Sequence, residues 1–307
     1  MNYSLHQLAI FLKIVETKSV TKTADYMHLT QPAVSIQLKN FQRQFHVPLL
    51  EVINKKIFIT DFGKEIALSA ENILNEVNAI DYRLMKFKGK LTGSLKISAV
   101  STGKYVIPYF LSDFLKKNEG VELRLDVSNK SKVIESLEKN ETDFSLVSVL
   151  PSKLKLNKID LMPNSLYLIG NYKSVFGKEP LNKSILEELP MIYREEGSST
   201  RIAMEKFIEK SLISVRKKIE LTSNEAVKQA VMAGIGYSIM PMIGIRNELQ
   251  NKQLKIIPVK GLPLKTTWNL VWLKSKKLSP VAKTFIAELE KNKLKLIQQH
   301  FSWIERM

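Results

Sequence analysis

The stretch "SVTKTADYMHLTQPAVSIQLKNF", residues Ser19–Phe41, contains two helical patterns separated by barely a turn. Ser19 is a capping residue type set just ahead of Val20, Ala24 and Met27, which recur at three- and four-residue spacing. Thr30 opens the next pattern, and Pro32 falls in its first turn, where a missing N–H costs little. Val34, Leu38 and Phe41 line up as the buried edge of that helix. On the opposite side Pro32, Ile36, Lys39 and Arg43 share a face, flanked by Ser35 and Asn40, and nothing apolar in the sequence partners it.

Working outward, Leu8, Phe11, Leu12 and Val15 make one apolar stripe on a preceding helix. Downstream, Pro48–Glu51 and Ile57–Ile59 read as short extended pieces around a turn at Asn54-Lys55-Lys56, a small wing with a basic tip. Three helices and a wing make residues 1–60 a winged helix-turn-helix. A helix fits the major groove of B-DNA, where this motif holds its first residues against base edges. Gln31 is able to pair with adenine, Ser35 to reach a base or phosphate, and Ile36 to touch thymine methyls. Lys39 and Arg43 suit phosphates or guanine, and Lys55 and Lys56 the neighbouring backbone. Thr21, Lys22, Thr30 and Pro32 complete the candidate DNA-facing set.

From residue 61 to 90, Ile66, Ile73, Ile80 and Phe87 recur every seven residues, with Ala70, Val77 and Leu84 between them. Such heptads predict a long linker helix that pairs with its own copy through Ile66, Ile73, Val77, Ile80 and Leu84. Pairing would present two outward faces to one inverted-repeat target.

Residues 91–307 alternate strand and helix patterns. Leu95–Val100, Val121–Val127 and Phe144–Val149 read as strands, with helices at Tyr105–Leu115 and Ser131–Glu138, which argues for parallel βαβ units. Further strands fall at Leu166–Gly170, Met191–Arg194, Ile219–Thr222, Tyr237–Met240, Leu254–Val259 and Trp268–Leu273. Two α/β lobes with a cleft between them accommodate this number of strands most economically. The closing stretch places Leu294, Ile297, Phe301 and Ile304 at helical spacing, for docking on the body or for a subunit contact.

The composition, 44% hydrophobic and 25% charged, describes a globular chain. With no cysteine, disulfides, thiolate metal sites and a catalytic thiol are excluded. The start lacks a secretory pattern and no apolar run is long enough to span a bilayer, so a cytoplasmic protein without a membrane partner is expected. The net charge of +17 is diffuse: residues 1–60 hold seven Lys and Arg against three Asp and Glu, and most of the excess lies beyond residue 90. It favours approach to an acidic polymer without naming one. His6, His28, His46 and His300 form no metal-ligand spacing, no G-x-S-x-G elbow appears, and Gly234-Ile235-Gly236 lacks a third glycine. Neither an enzyme nor a cofactor or metal is expected.

The same residues carry a family likeness. Phe11, Val15, Ser19, Ala24, Leu29, Gln31–Ser35, Pro48-Leu49, Thr60 and Gly63 resemble the amino-terminal domain of LysR-type transcriptional regulators. Gly93–Ile97, Gly197–Arg201 and Gly234–Pro241 resemble the effector half of that family, so the likeness extends over the whole chain. Ser98–Pro108 and Ser223–Gly234 look most like the Rubisco-operon-regulator branch and more loosely like the sulfur-assimilation branch. The chain departs from the family in having Ile36 where members commonly carry arginine, and Leu50-Glu51-Val52 where they have Phe-x-Arg.

The resemblance implies an α/β effector domain of the type 2 periplasmic-binding-protein kind, a homodimer or homotetramer, and contact with RNA polymerase. Two sites combine hydroxyls with a helix start: Ser101-Thr102-Gly103-Lys104, and Ser198 to Arg201 with Ser199 and Thr200. Helix starts attract anions, which Lys104 and Arg201 would reinforce, so a small carboxylate or phosphate ester is the expected effector. The resemblance directs both at the cleft and adds Ser148 and Asn224. The alternative is a small-anion-sensing module that acts through protein contacts rather than DNA.

Overall fold

A computed structural model describes residues 2–54, 56–87, 91–177, 179–216 and 218–306. The chain divides into two compact units, Met1–Lys90 and Leu91–Met307.

The first unit opens with α1 (Leu5–Thr17), α2 (Val20–Met27) and α3 (Gln31–Gln42). Each start is capped by its own sequence: Ser4 and Gln7 form a reciprocal capping box, Ser19 accepts the Lys22 amide, and Thr30 accepts the Ala33 amide. Lys18 and His28 end α1 and α2 in the left-handed conformation, which turns the chain back within one residue. The helices enclose Phe11, Ile14, Val34 and Phe41, all fully buried, each contributing about 1.5–3 kcal/mol.

On α1 the most deeply buried residues include Ile10 and Ile14, whereas Leu12 and Val15 are half-buried. The predicted stripe is broadened because α1 packs against α4 (Asp61–Phe87) as well as against α2 and α3. Strands β1 (Leu50–Ile53) and β2 (Lys56–Ile59) form the antiparallel wing, pairing from Leu50↔Ile59 to Ile53↔Lys56.

The linker helix differs from its predicted seam at its start. Ile66 is partly buried and packs on the unit's own core beside buried Ala67 and Ala70. Ile73 and Ile80 are exposed, Ile80 by 65%, and Val77 is half-buried. The side chain of Leu84 lies outside those described, as does the whole of Lys55.

In the second unit β3 (Thr92–Val100) lies between β4 (Gly120–Ser128) and β5 (Phe144–Val147), both parallel to it. Helices α5 (Ile107–Lys117) and α6 (Lys130–Glu138) make the crossovers. Two long strands then break the expected parallel pattern. β6 (Leu156–Asn171) and β11 (Leu264–Leu273) run antiparallel from Leu156↔Leu273 to Leu166↔Leu264, with a bulge between Trp268 and Asn269. β11 also pairs with β5, so these strands join the first lobe to the second.

The second lobe adds α7 (Ile185–Glu188), β7 (Met191–Arg194), α8 (Ser199–Lys210), β8 (Lys218–Leu221), α9 (Asn224–Met232), β9 (Ser238–Pro241), α10 (Arg246–Gln250) and β10 (Leu254–Ile257). β9 and β10 flank β6 antiparallel, while β7 and β8 pair parallel. The Ile192 amide donates to the Tyr237 carbonyl at 2.7 Å, tying β7 to the segment entering β9. Separate cores result: Leu95, Phe144, Leu270 and Phe285 centre one, and Leu168, Met191, Met204 and Ile239 another.

Helix α11 (Pro280–Phe301) returns to the first lobe, its start capped by Ser279. The closing stretch continues this helix. Phe301 is buried and stacks on Phe110 of α5 at 5.8 Å, so the stretch docks on the body, with Leu294 left outside.

Candidate nucleic-acid interface and effector cleft

On α3, Gln31, Pro32, Lys39, Asn40 and Arg43 are exposed, Ser35 is half-exposed, and Ile36 stands 58% exposed at their centre. Gln31 donates to the Ser35 hydroxyl at 3.3 Å, an i,i+4 bond that holds both side chains on this face. Thr21, Lys22 and Thr30 are exposed at the starts of α2 and α3, whose first turns carry no acidic residue to oppose a phosphate. Lys56 is exposed at the first position of β2. An apolar side chain ringed by amide, hydroxyl and cationic groups on an open helix is chemically suited to a groove that offers methyls, base acceptors and phosphates.

The cleft site gathers where the two lobes meet. Ser101 follows β3 in a 3-10 turn, Thr102 and Gly103 are buried, Ser148 is half-buried just after β5, and Lys104 is exposed over the Tyr105 ring. From the second lobe, Asn224 opens α9, and Ser198, Ser199 and Thr200 open α8, all of them buried. α8 has no side-chain cap, although Ser198 stands in the cap position. The Ser199 hydroxyl is buried with no hydrogen-bond partner. An uncapped helix start beside an unpaired hydroxyl is a set of donors awaiting an acceptor.

The centre of the site is Arg194, at the end of β7 and only 4% exposed. Its Nη2 donates to the Ser101 hydroxyl at 3.2 Å across the lobes, and Nη1 donates to the Asn224 side-chain oxygen. Glu195 takes Nε at 2.7 Å and Nη2 at 2.8 Å. Arg194 was not among the residues that sequence patterns pick out. A lone arginine closing a strand carries no periodic signal, and its partners Ser101 and Asn224 lie 93 and 30 positions away.

Arg201, expected to face the ligand, is engaged by neighbouring carboxylates. Its guanidinium pairs with Glu205 at 2.8 Å and Glu220 at 2.6 Å and donates to the Arg194 carbonyl at 3.1 Å. Both arginines are thus paired with carboxylates, and the more deeply buried Arg194 is the one that also bridges the lobes through Ser101.

A further cation lies at the start of α6. Half-buried Lys130 has its ammonium held below the usual lysine range, first by burial and then by Lys206 of the other lobe. Gly197, with φ of 82°, approaches Ser131 so closely that a β-carbon would overlap its hydroxyl. Among the described residues no group of three or more His, Asp or Glu could hold a metal ion, and no helix is long and apolar enough to cross a membrane.

Comparison with known proteins agrees with both halves. Residues 5–64 match the bacterial regulatory helix-turn-helix protein, lysR family, and residues 88–293 match the LysR substrate binding domain. The chain belongs to the LysR family.

Among curated LysR relatives, the transcriptional activator CmpR of a Synechocystis strain is 35% identical, with 93% of this chain and 94% of CmpR aligned. The RuBisCO operon transcriptional regulator of Allochromatium vinosum is 34% identical over 93% and 95% of the two chains. The regulatory domain of Synechocystis CcmR, solved in complex with 2-PG, is 32% identical and superposes with a TM-score of 0.63, covering 66% of this chain and 98% of that one. Full-length OxyR of Pseudomonas aeruginosa, 16% identical, shares the fold over 97% of this chain and 95% of its own, with a TM-score of 0.74. This LysR chain is therefore a DNA-binding transcription regulator, of the branch that includes the RuBisCO operon regulators, whose carboxy-terminal domain responds to a small-molecule effector. Within the family frame, Ile36 and Val52 are both exposed, at two positions where the resemblance leads one to expect arginine.

Proposed function

We propose that α3 reads DNA through Gln31, Ser35 and Ile36 while Lys39, Arg43, Lys22 and the wing lysines grip phosphates. The exposed Ile36-centred face is the observation that carries this assignment. Thr21, Thr30 and Pro32 position the helix starts against the backbone. Ile73, Val77, Ile80 and Leu84 bring a second copy alongside, so that a homodimer, or a tetramer of two dimers, binds an inverted repeat in the cytoplasm. The regulator acts on RNA polymerase and catalyses no reaction of its own.

In the effector domain the guest is a small anion, a carboxylate or phosphate ester, received by the start of α8 and Arg194, with Ser101, Thr102, Ser148, Ser199, Thr200 and Asn224 as hydrogen-bonding groups. Lys104, Lys130 and Lys206 raise the positive potential at the mouth. The unpaired Ser199 hydroxyl and the uncapped α8 support this. Ligand binding changes DNA contacts only by as much as its affinity differs between two arrangements of the protein.

The test is fluorescence anisotropy with DNA from the gene's own upstream region, against scrambled DNA, with and without 2-PG. Preference for the native sequence that shifts with 2-PG supports the assignment. Equal binding to scrambled DNA refutes it.

A further inference from the structure

The Nε/Nη2 edge of Arg194 is the edge with which arginine grips acid groups, in two parallel N–H bonds. Here Glu195, its own neighbour in sequence, fills that edge at 2.7 and 2.8 Å. Asn224 and Ser101 hold the rest of the guanidinium, so the cation is fixed in place. The pair is asymmetric: the Arg194 side chain is 3% exposed and that of Glu195 16%. The carboxylate therefore stands on the side open to water. A turn closed by the Ser198 amide on the Glu195 carbonyl at 3.2 Å, with Gly197 in a left-handed conformation, carries it.

Resting on the proposal that the cleft takes a small anion, we infer that Glu195 is an internal stand-in for the effector's acid group. The effector enters by displacing the Glu195 carboxylate from Arg194 and completes its contacts at Ser199 and the open start of α8. A buried guanidinium is never left without a counter-charge in this exchange, because one acid group replaces another. Two consequences follow. The guest must present a carboxylate or phosphate able to take two parallel N–H bonds, and Glu195 sets the effector concentration at which the regulator responds.

The experiment is isothermal titration of the full-length chain with 2-PG and, separately, with inorganic phosphate. It compares the wild type with Glu195→Gln, Glu195→Asp, Glu196→Gln and Ser199→Ala. Glu196 is exposed in the same turn, so its variant makes the same charge change without touching Arg194. Glu195→Gln is expected to bind both probes about tenfold more tightly, the worth of one charge-assisted bond no longer broken on binding. Glu195→Asp, one methylene short of the Arg194 edge, is expected to fall between, and it answers the question should the glutamine variant fail to fold. Glu196→Gln is expected to match the wild type and Ser199→Ala to bind more weakly.

Equal or weaker binding by both Glu195 variants, with Ser199→Ala still impaired, overturns the exchange and leaves the anion site standing. Equal tightening in Glu195→Gln and Glu196→Gln also overturns it, since net charge then accounts for the effect. Binding of neither probe by any protein overturns both the exchange and the anion site.

Discussion

Gly63, in the first turn of α4, lies so close to the backbone carbonyl of Leu49 that a β-carbon would overlap its oxygen. Thr60 completes the junction, donating to the Pro48 carbonyl at 2.7 Å and accepting the Gly63 amide at 2.9 Å. The wing is thereby fastened to the start of the linker helix. Gly63→Ala forces these backbones apart and is expected to cost the first unit about 1–3 kcal/mol. Calorimetry should show a lowered transition for that unit alone, with DNA affinity falling in step.

The face of α3 predicts two separable losses in DNA binding. Gln31→Ala should weaken the native site by about 1–3 kcal/mol while leaving scrambled DNA unaffected, as expected of a base contact. Lys39→Ala should weaken both and lower the slope of log affinity against log salt by about 0.9. Ile36→Arg, which introduces the residue common in the family, should raise non-specific affinity and steepen that slope by a similar amount. Anisotropy at several salt concentrations reads all three.

For the linker, Ile80→Asp places a charge on an exposed isoleucine of α4. The expected result in sedimentation is dissociation of the oligomer with helix content retained. Ile66→Asp should instead destabilise the first unit, because Ile66 is partly buried against its core.

Arg194→Met removes the cation of the buried pair and leaves the Glu195 carboxylate, Asn224 and Ser101 without the guanidinium that each of them bonds. The expected cost is about 3–5 kcal/mol, and the double variant Arg194→Met/Glu195→Gln should recover a large part of it. Urea unfolding followed by tryptophan fluorescence is selective here, since all three tryptophans, Trp268, Trp272 and Trp303, lie in the second unit.

Tyr193, neighbour to Arg194, supplies a pH prediction. Burial first, then the Glu205 carboxylate, push its phenol up to about 12 from 10.0, against the opposing pull of Arg201. The folded protein thus retains a proton that the unfolded chain releases. The associated stability is complete below pH 10.0 and is lost as pH rises towards about 12. Tyr193→Phe should flatten the alkaline fall in stability over that window, and ultraviolet titration should show one of the nine tyrosines ionising late.

What sequence patterns reveal here depends on how local the cause is. Ser19 and Thr30 act on amides three residues away, so α2 and α3 are legible from their caps. Val34 and Phe41 sit at one helical spacing and are both fully buried, so the covered face of α3 is legible too. The heptads of α4 were legible as a helix, but Ile66 and Ala70 also match the period of a helix packed on α1, and periodicity does not tell the two partners apart. The second half of β6 is legible at Leu166–Gly170, but its first half is not, because Pro163 and Asn164 separate it from that run; its pairing with β11 supplies the order that propensity does not. In the cleft, hydroxyls at helix starts and the i,i+4 pair of Arg201 with Glu205 are legible, whereas the contacts of Arg194 with Ser101 and Asn224 and of Arg201 with Glu220 depend on where those residues lie in space.

The two crossing strands also bear on how the chain can be made. Everything from β7 to β10 is inserted between β6 and β11, so the second lobe has nearly all its strands before β11 leaves the ribosome. The first lobe cannot close until β11 slots beside β5 and α11 covers Phe110 and Phe114. Synthesis therefore leaves β3, β4 and β5 waiting with an open edge while some hundred residues are added, roughly 5–20 s at ordinary elongation rates. Chaperone demand during translation should concentrate on that half-built sheet.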